Sequence, residues 1–364
     1  MNRELLSRAE CNALRGLAIL GIMLHNYCHW LRGAVQENEY QYFQRHVDRL
    51  HQLVAAPDGL LPVHLLSFFG HYGVPVFLFL SAFGLSMKYE RRDLPLQKTQ
   101  ERVGIGSFLR YHYLKLFKMM IVGFVAFLII DVLTPAPHRY ELMDVAAMLG
   151  MFNNVLPHPD RIIWPGPYWF FGLMLQLYVV YRLVIYRRHW GWTAGLMIVL
   201  TLAQLLFEPE GEALNRYRYN FMGGMLPFGL GILYARYGRR VILSYHHPVT
   251  AAVAVLVFGA LIYAASDGFF WWMTVPALVC GGCVTLVKLL YSLPWMSGVN
   301  KILEWLGDVS AALFVCHPIL RKLFIPISQA GDYYTGLLIY VMTSLCVAWL
   351  FKEVMKKIPN PKLS

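Results

Sequence analysis

Apolar and polar positions along this chain segregate into blocks. Runs of mainly apolar residues recur, flanked by lysines, arginines and prolines, and many approach the ~20 residues that carry an α-helix across a bilayer. Ten such runs lie near residues 14–30, 65–87, 116–134, 168–186, 192–207, 221–235, 250–265, 269–290, 304–320 and 335–351. They predict an all-α fold, a polytopic transmembrane helix bundle of about ten spans. Residues 142–155, "LMDVAAMLGMFNNV", are too short a run to span and read as a re-entrant or interfacial helix. In the long loop 31–63, Tyr42, Phe43, Val47, Leu50 and Val54 recur at helical spacing, which suits a helix on the membrane surface. There is no internal repeat, and no hydrophilic stretch is long enough for a soluble domain. One membrane domain over residues 1–364 is expected.

Composition agrees with the pattern. Of the 364 residues 57% are hydrophobic and 15% charged, against about 45–50% and about 25% in soluble globular proteins. The net charge of +11 would suggest nucleic acid in a soluble protein. Here the cations sit between apolar blocks, so they are read as topology signals and no nucleic-acid partner is expected. With both termini cytoplasmic, only nine of the 32 lysines and arginines fall outside: Arg32, Arg45, Arg49, Arg139, Arg161, Arg216, Arg218, Arg321 and Lys322. That bias fits ten spans in a cytoplasmic membrane. The start resembles a signal peptide in its Arg3 and Arg8, but no small-residue cleavage site follows Leu24, which predicts an uncleaved first span. The six cysteines are scattered and suggest no disulfide framework. Cys280-Gly-Gly-Cys283, inside an apolar run, reads as small-residue helix packing.

Polar residues inside the spans carry the candidate chemistry. His25 lies ten residues beyond Arg15. At 1.5 Å per residue this is roughly 15 Å, about half the hydrocarbon thickness. Arg15 thus marks the cytoplasmic edge and His25 the region near mid-membrane, where a neutral imidazole suits a general base or a polar packing group. Asn26 and His29 accompany it. His317 lies ten residues beyond Gly307 and reaches a similar depth, either sharing a polar cavity or capping the helix before Pro318.

Arg110, His112, Lys115 and Lys118 in "FLRYHYLKLFKMM" crowd the inner boundary. They could hold the phosphates of a nucleotide-bearing donor, or simply obey the positive-inside bias. Ser81 has no acid or base near it in sequence and reads more readily as helix packing than as a nucleophile. Trp164, Tyr168 and Trp169 suit the outer interface, as anchors or as a substrate platform. The sequence lacks GxxxxGK[ST], HExxH, GxSxG and H-x4-D motifs. No spacing suggests a metal cluster, and no bound cofactor is expected.

Five segments in order, "ALRGLAILGIMLH", "GVPVFLFLSAFGLS", "FLRYHYLKLF", "GPYWFFGLMLQLY" and "WLGDVSAALFVCHPIL", resemble the integral-membrane acyltransferase-3 family over nearly the whole chain. The resemblance implies transfer of an acyl group, commonly acetyl from acetyl-CoA as co-substrate, to a cell-surface glycan or lipid-linked sugar. It implies His25 as the catalytic histidine with Arg15 as its partner, and Arg110 and Lys115, with His112, as donor-binding residues. Asn26, His29, Ser81, Trp169 and His317 are then candidates for the substrate cavity.

The chain departs from the family pattern twice. Nine residues rather than ten separate Arg15 from His25, so on a regular helix His25 falls about 80° off the Arg15 face. Asn26 then lies in line with Arg15, His29 is the fallback base, and a π-bulge would be needed to align the pair. Where the family carries a pair of arginines in its third helix, this chain has His112 and Lys115. A transporter or flippase with a His-lined polar path is the competing reading; a structural scaffold fits the buried histidines poorly.

Overall fold

The computed structural model describes residues 5–90, 103–238 and 247–363. Arg3, Arg239, Arg240 and the basic residues between positions 91 and 102, all part of the expected cytoplasmic charge, lie outside them. The described residues are mainly helical and form no strand. The principal helices are α1 (Arg8–Cys28), α2 (Gln44–Ala55), α3 (Leu61–Phe69), α4 (Gly73–Tyr89), α5 (Ile105–Leu133), α6 (Leu142–Gly150), α7 (Trp169–Val180), α8 (Trp190–Leu202), α9 (Glu212–Tyr219), α10 (Phe221–Tyr237), α11 (Pro248–Ala265), α12 (Val275–Ser292), α13 (Ser297–Gln329) and α14 (Tyr333–Lys357).

Seven segments among the described residues are long and apolar enough to cross a membrane: Leu61–Tyr89, Ile105–Leu133, Gly166–Ile185, Pro248–Ala265, Val275–Ser292, Pro294–Gln329 and Tyr333–Lys357. Helices α1, α8 and α10 occupy the other three expected positions. They are shorter or more polar along their apolar stretch. Helix α1 packs closely against other helices. Its buried stripe, with Leu14, Ile19 and Met23 fully enclosed, lies against α13 and α4.

Two glycines set that contact. A Cβ on Gly16 would sit 2.0 Å from the Leu303 carbonyl oxygen, and one on Gly307 would sit 1.9 Å from the Asn12 carbonyl oxygen. The α1 and α13 backbones therefore touch, as small residues permit in membrane helix pairs. At the start of α1, Ser7 and Glu10 form a reciprocal capping box, and Glu10 also pairs with Lys288 of α12 at 2.7 Å.

The second predicted span is broken. Helix α3 runs to Phe69, a single 3-10 turn covers Gly70–Tyr72, and α4 starts at Gly73. Gly70 makes the break fit, because a Cβ there would lie 2.7 Å from both the Gly21 carbonyl oxygen and the His25 Cβ. Helix α5 begins eleven residues before the predicted span, since its polar first turns are helical too. Helix α13 continues through Pro318 and Pro326 to Gln329, nine residues beyond the predicted end.

Two expectations change in detail. Helix α2 exists, and Val47, Leu50 and Leu53 pack on Phe68, Leu214, Trp272 and Met273, so most of its apolar face lies against protein, with Val54 left exposed. The 142–155 run forms the nine-residue α6 and a short 3-10 turn, with Leu142 and Met143 exposed. The Cys280-Gly-Gly-Cys283 stretch packs as small residues do. A Cβ on Gly281 would approach the Phe258 ring to 2.8 Å, and none of the six cysteines is in a disulfide.

Candidate active site

The end of α1, the α3–α4 break, the loop 31–43 and the middle of α13 converge on one cavity of about 250 Å³. His25, Asn26, His29, Glu37, Glu39, Tyr40, His71, Trp169 and Arg321 all line it. A larger open groove of about 630 Å³ between Gln176, Val180, Tyr217 and Phe221 holds no histidine or carboxylate on its walls.

His25 is 3% exposed. Its Nδ1 lies 2.8 Å from the carbonyl oxygen of Ser67, in the last turn of α3. Carbonyls at a helix end lack their regular partners, so the imidazole satisfies one of them. A carbonyl oxygen only accepts, hence Nδ1 carries the proton. In the neutral ring the lone pair is then on Nε2. Ser67 is itself held, its hydroxyl donating to the Val35 carbonyl at 2.5 Å.

Two more imidazoles flank the first. The His29 ring centroid is 4.7 Å and the His71 centroid 5.4 Å from that of His25. His29 Nδ1 pairs with Glu37 Oε1 at 3.1 Å, leaving His29 Nε2 buried without a partner among the described residues. Burial alone would raise the Glu37 carboxyl, but His29 beside it holds it well below the usual carboxylate range. Glu39 behaves oppositely: burial, reinforced by the Glu37 charge, pushes its carboxyl up to about 8. Two carboxyls in one loop are thus driven apart in proton affinity. Tyr40 stacks on Tyr219 with centroids 4.0 Å apart, and Trp169 stands edge-on to Tyr40 at 5.4 Å.

Arg321 approaches from α13. It is 6% exposed, donates from Nη1 to Asn26 Oδ1 at 3.3 Å and lies 4.9 Å over the Trp30 ring.

Of the residues singled out by sequence, His25, Asn26, His29 and Trp169 meet here. The others do not. Arg15 bonds Asn12 at 2.8 Å, near the opposite end of α1. Helix α1 is α-helical throughout, so no π-bulge restores the alignment of Arg15 with His25; a π turn lies instead at Tyr181–Ile185. His317 is fully buried one turn before Arg321, bonded through Nδ1 to the Leu313 carbonyl at 3.0 Å, and stands behind the cavity wall. Ser81 bonds the Tyr178 hydroxyl at 3.2 Å, away from the cavity. Arg110 and Lys115 are exposed near the start of α5, while His112 is buried against Tyr89, with Nε2 3.3 Å from the Tyr89 hydroxyl oxygen.

A family model described as an acyltransferase domain, that of acyltransferase family 3, matches residues 8–353. The chain belongs to this family. No curated protein and no solved structure matches it. The matched range takes in every residue of the cavity, so the acyltransferase carries its polar chamber within the family domain.

Sequence reasoning misses Glu37, Glu39, His71 and Arg321. Glu37 and Glu39 lie in an irregular loop, and Arg321 reads as an outer charge because the predicted span stops one residue before it. The absence of metal-ligand spacing also changes in three dimensions. His25, His29 and Glu37 offer ligand atoms within 4.8 Å of one another, a set able to hold a divalent cation.

Proposed function

We propose that this acyltransferase moves an acyl group, most simply acetyl, from acyl-CoA to a hydroxyl of a cell-surface glycan or lipid-linked sugar, with His25 as general base. The observation that carries this reading is the fixed imidazole: Nδ1 donates to the Ser67 carbonyl, leaving Nε2 basic and facing a polar cavity. In the reaction, Nε2 takes the acceptor hydroxyl proton as the oxygen attacks the thioester carbonyl. The tetrahedral adduct collapses, the C–S bond breaks, and the departing thiolate receives the proton.

The donor reaches the site from the cytoplasmic face, where Arg15, Arg110 and Lys115 supply positive charge for the CoA phosphates. Both termini are cytoplasmic in this arrangement. Helices α1, α8 and α10 join the seven long spans to make ten, and the protein is multi-pass in the cytoplasmic membrane. The loop 31–43 and the aromatic residues Trp30, Tyr40, Trp164 and Trp169 face the acceptor. Loss of turnover on dialysis against a chelator would instead favour a cation held by His25, His29 and Glu37.

The test is to supply the purified protein in lipid discs with acetyl-CoA and the lipid-linked glycan fraction of its membrane. Gain of about 42 Da on the acceptor, the mass of an acetyl ester, together with release of free CoA supports the reading. CoA release without acylated product, or no reaction with any acyl-CoA, contradicts it.

A further inference from the structure

We propose that Arg321 is a catalytic residue of this enzyme, its guanidinium stabilising the negative charge that forms on the thioester carbonyl oxygen during acyl transfer. The inference rests on the reading of His25 as base, and adds the electrophilic half of the site. Arg321 is buried on α13 and lines the same cavity. Among the described residues no carboxylate lies within ion-pair distance of it. Its side-chain partners are neutral: the Asn26 amide oxygen and the Trp30 ring.

A buried guanidinium left without a counter-ion is costly, and removing its partner usually destabilises by several kcal/mol. Some partly buried cations of the chain have a carboxylate partner, while Arg182 and Arg218 bond neutral carbonyl and amide oxygens and lie over aromatic rings. Arg236 grips both oxygens of Glu90, Lys288 meets Glu10, and Lys322, the very next residue, pairs with Asp131. Arg321 is the cation that lines the same cavity as His25, and no carboxylate holds it there. Glu37, a carboxylate of the same cavity, is paired with His29.

The geometry joins this cation to the base. Asn26 follows His25 in α1, and its side chain bridges to Arg321. A guanidinium has five N–H donors, of which Asn26 engages one group. The others are free to bond an oxygen held between Arg321 and His25. When the acceptor oxygen bonds the acyl carbon, the carbonyl π pair moves onto oxygen. When the C–S bond breaks, that pair re-forms the carbonyl and the thiolate leaves. Arg321 faces the charge only between those events. Preorganised donors of this kind raise kcat far more than they tighten substrate binding.

The test compares kcat and KM of wild type, Arg321→Gln and Arg321→Lys with acyl-CoA and acceptor, after melting curves show that each variant is folded. The Gln variant is expected to lose about 10²–10³-fold in kcat with both KM values within about threefold of wild type. The Lys variant, a single-point donor, should fall between. If the Gln variant does not fold, Arg321→Lys decides the question, with kcat expected to drop at least about tenfold. Wild-type kcat in the readable variant overturns the proposal. So does a loss confined to KM, which would make Arg321 an anchor for a charged acceptor. A wild-type protein that transfers no acyl group would sink the His25 reading itself, whatever the variants do.

Discussion

His25 Nδ1 and the Ser67 carbonyl oxygen are 2.8 Å apart, and this contact ties α1 to the broken helix beside it. It fixes which ring nitrogen bears the proton without any carboxylate. The second histidine uses the more familiar device, pairing with Glu37. The cavity thus contains two imidazoles oriented by different means, their ring centroids 4.7 Å apart.

The contact depends on Gly70. A methyl group there would press on the Gly21 carbonyl and the His25 Cβ at 2.7 Å, pushing α1 away from α3. Gly70→Ala is expected to cost about 1–3 kcal/mol of stability and to lower turnover further than its melting curve explains. Melting temperature and kcat measured on the same preparation check this.

The α1–α13 crossing is a separate test. Gly16→Ala and Gly307→Ala each place a methyl about 2 Å from a carbonyl oxygen of the facing helix. Each should destabilise the protein more than Gly84→Ala, whose Cβ would meet nothing within 4 Å. Thermal unfolding in detergent ranks the three.

Glu39 gives a pH signature. Its proton affinity is raised in the folded protein, from an ordinary value of 4.5 to about 8. Below the ordinary value both states are protonated and nothing is lost. As pH rises from there to about 8, the unfolded chain releases a proton that the folded one keeps, so stability falls. Glu39→Gln should flatten the decline in melting temperature between about pH 5 and pH 8. An unchanged slope would show that Glu39 is ionised in the folded state.

Exposed Arg110 and Lys115 touch nothing in the cavity, so their replacement should leave kcat alone. With both changed to Glu, the KM for acyl-CoA is expected to rise about tenfold or more. The difference from wild type should shrink as salt is added. A change in kcat at unchanged KM would remove them from donor binding.

Much of this architecture is legible in the chain. Hydropathy locates the helices because lipid demands apolar length, and counting residues along α1 places His25 in its last turns, far from Arg15. The break at Gly70 is not legible, since "SFFGHYGVP" lies inside a continuous apolar run and only the approach of α1 explains it. Nor is the joining of His25 with Glu37 and Arg321. A loop carboxylate has no period to betray it, and an arginine beyond a proline reads as the end of a span until the helix is seen to continue. Arg15 and His25 show the opposite limit. Likeness to a family pattern pairs them, yet a regular helix keeps them about 15 Å apart on different faces.

The substitution His25→Asn separates the base from the scaffold around it. The asparagine amide can still donate to the Ser67 carbonyl, so the fold should hold, while the basic Nε2 is gone. With His25 as base, the melting temperature stays close to that of wild type and acyl transfer falls about 10²–10⁴-fold. Acyl transfer at the wild-type rate in this variant would contradict that role.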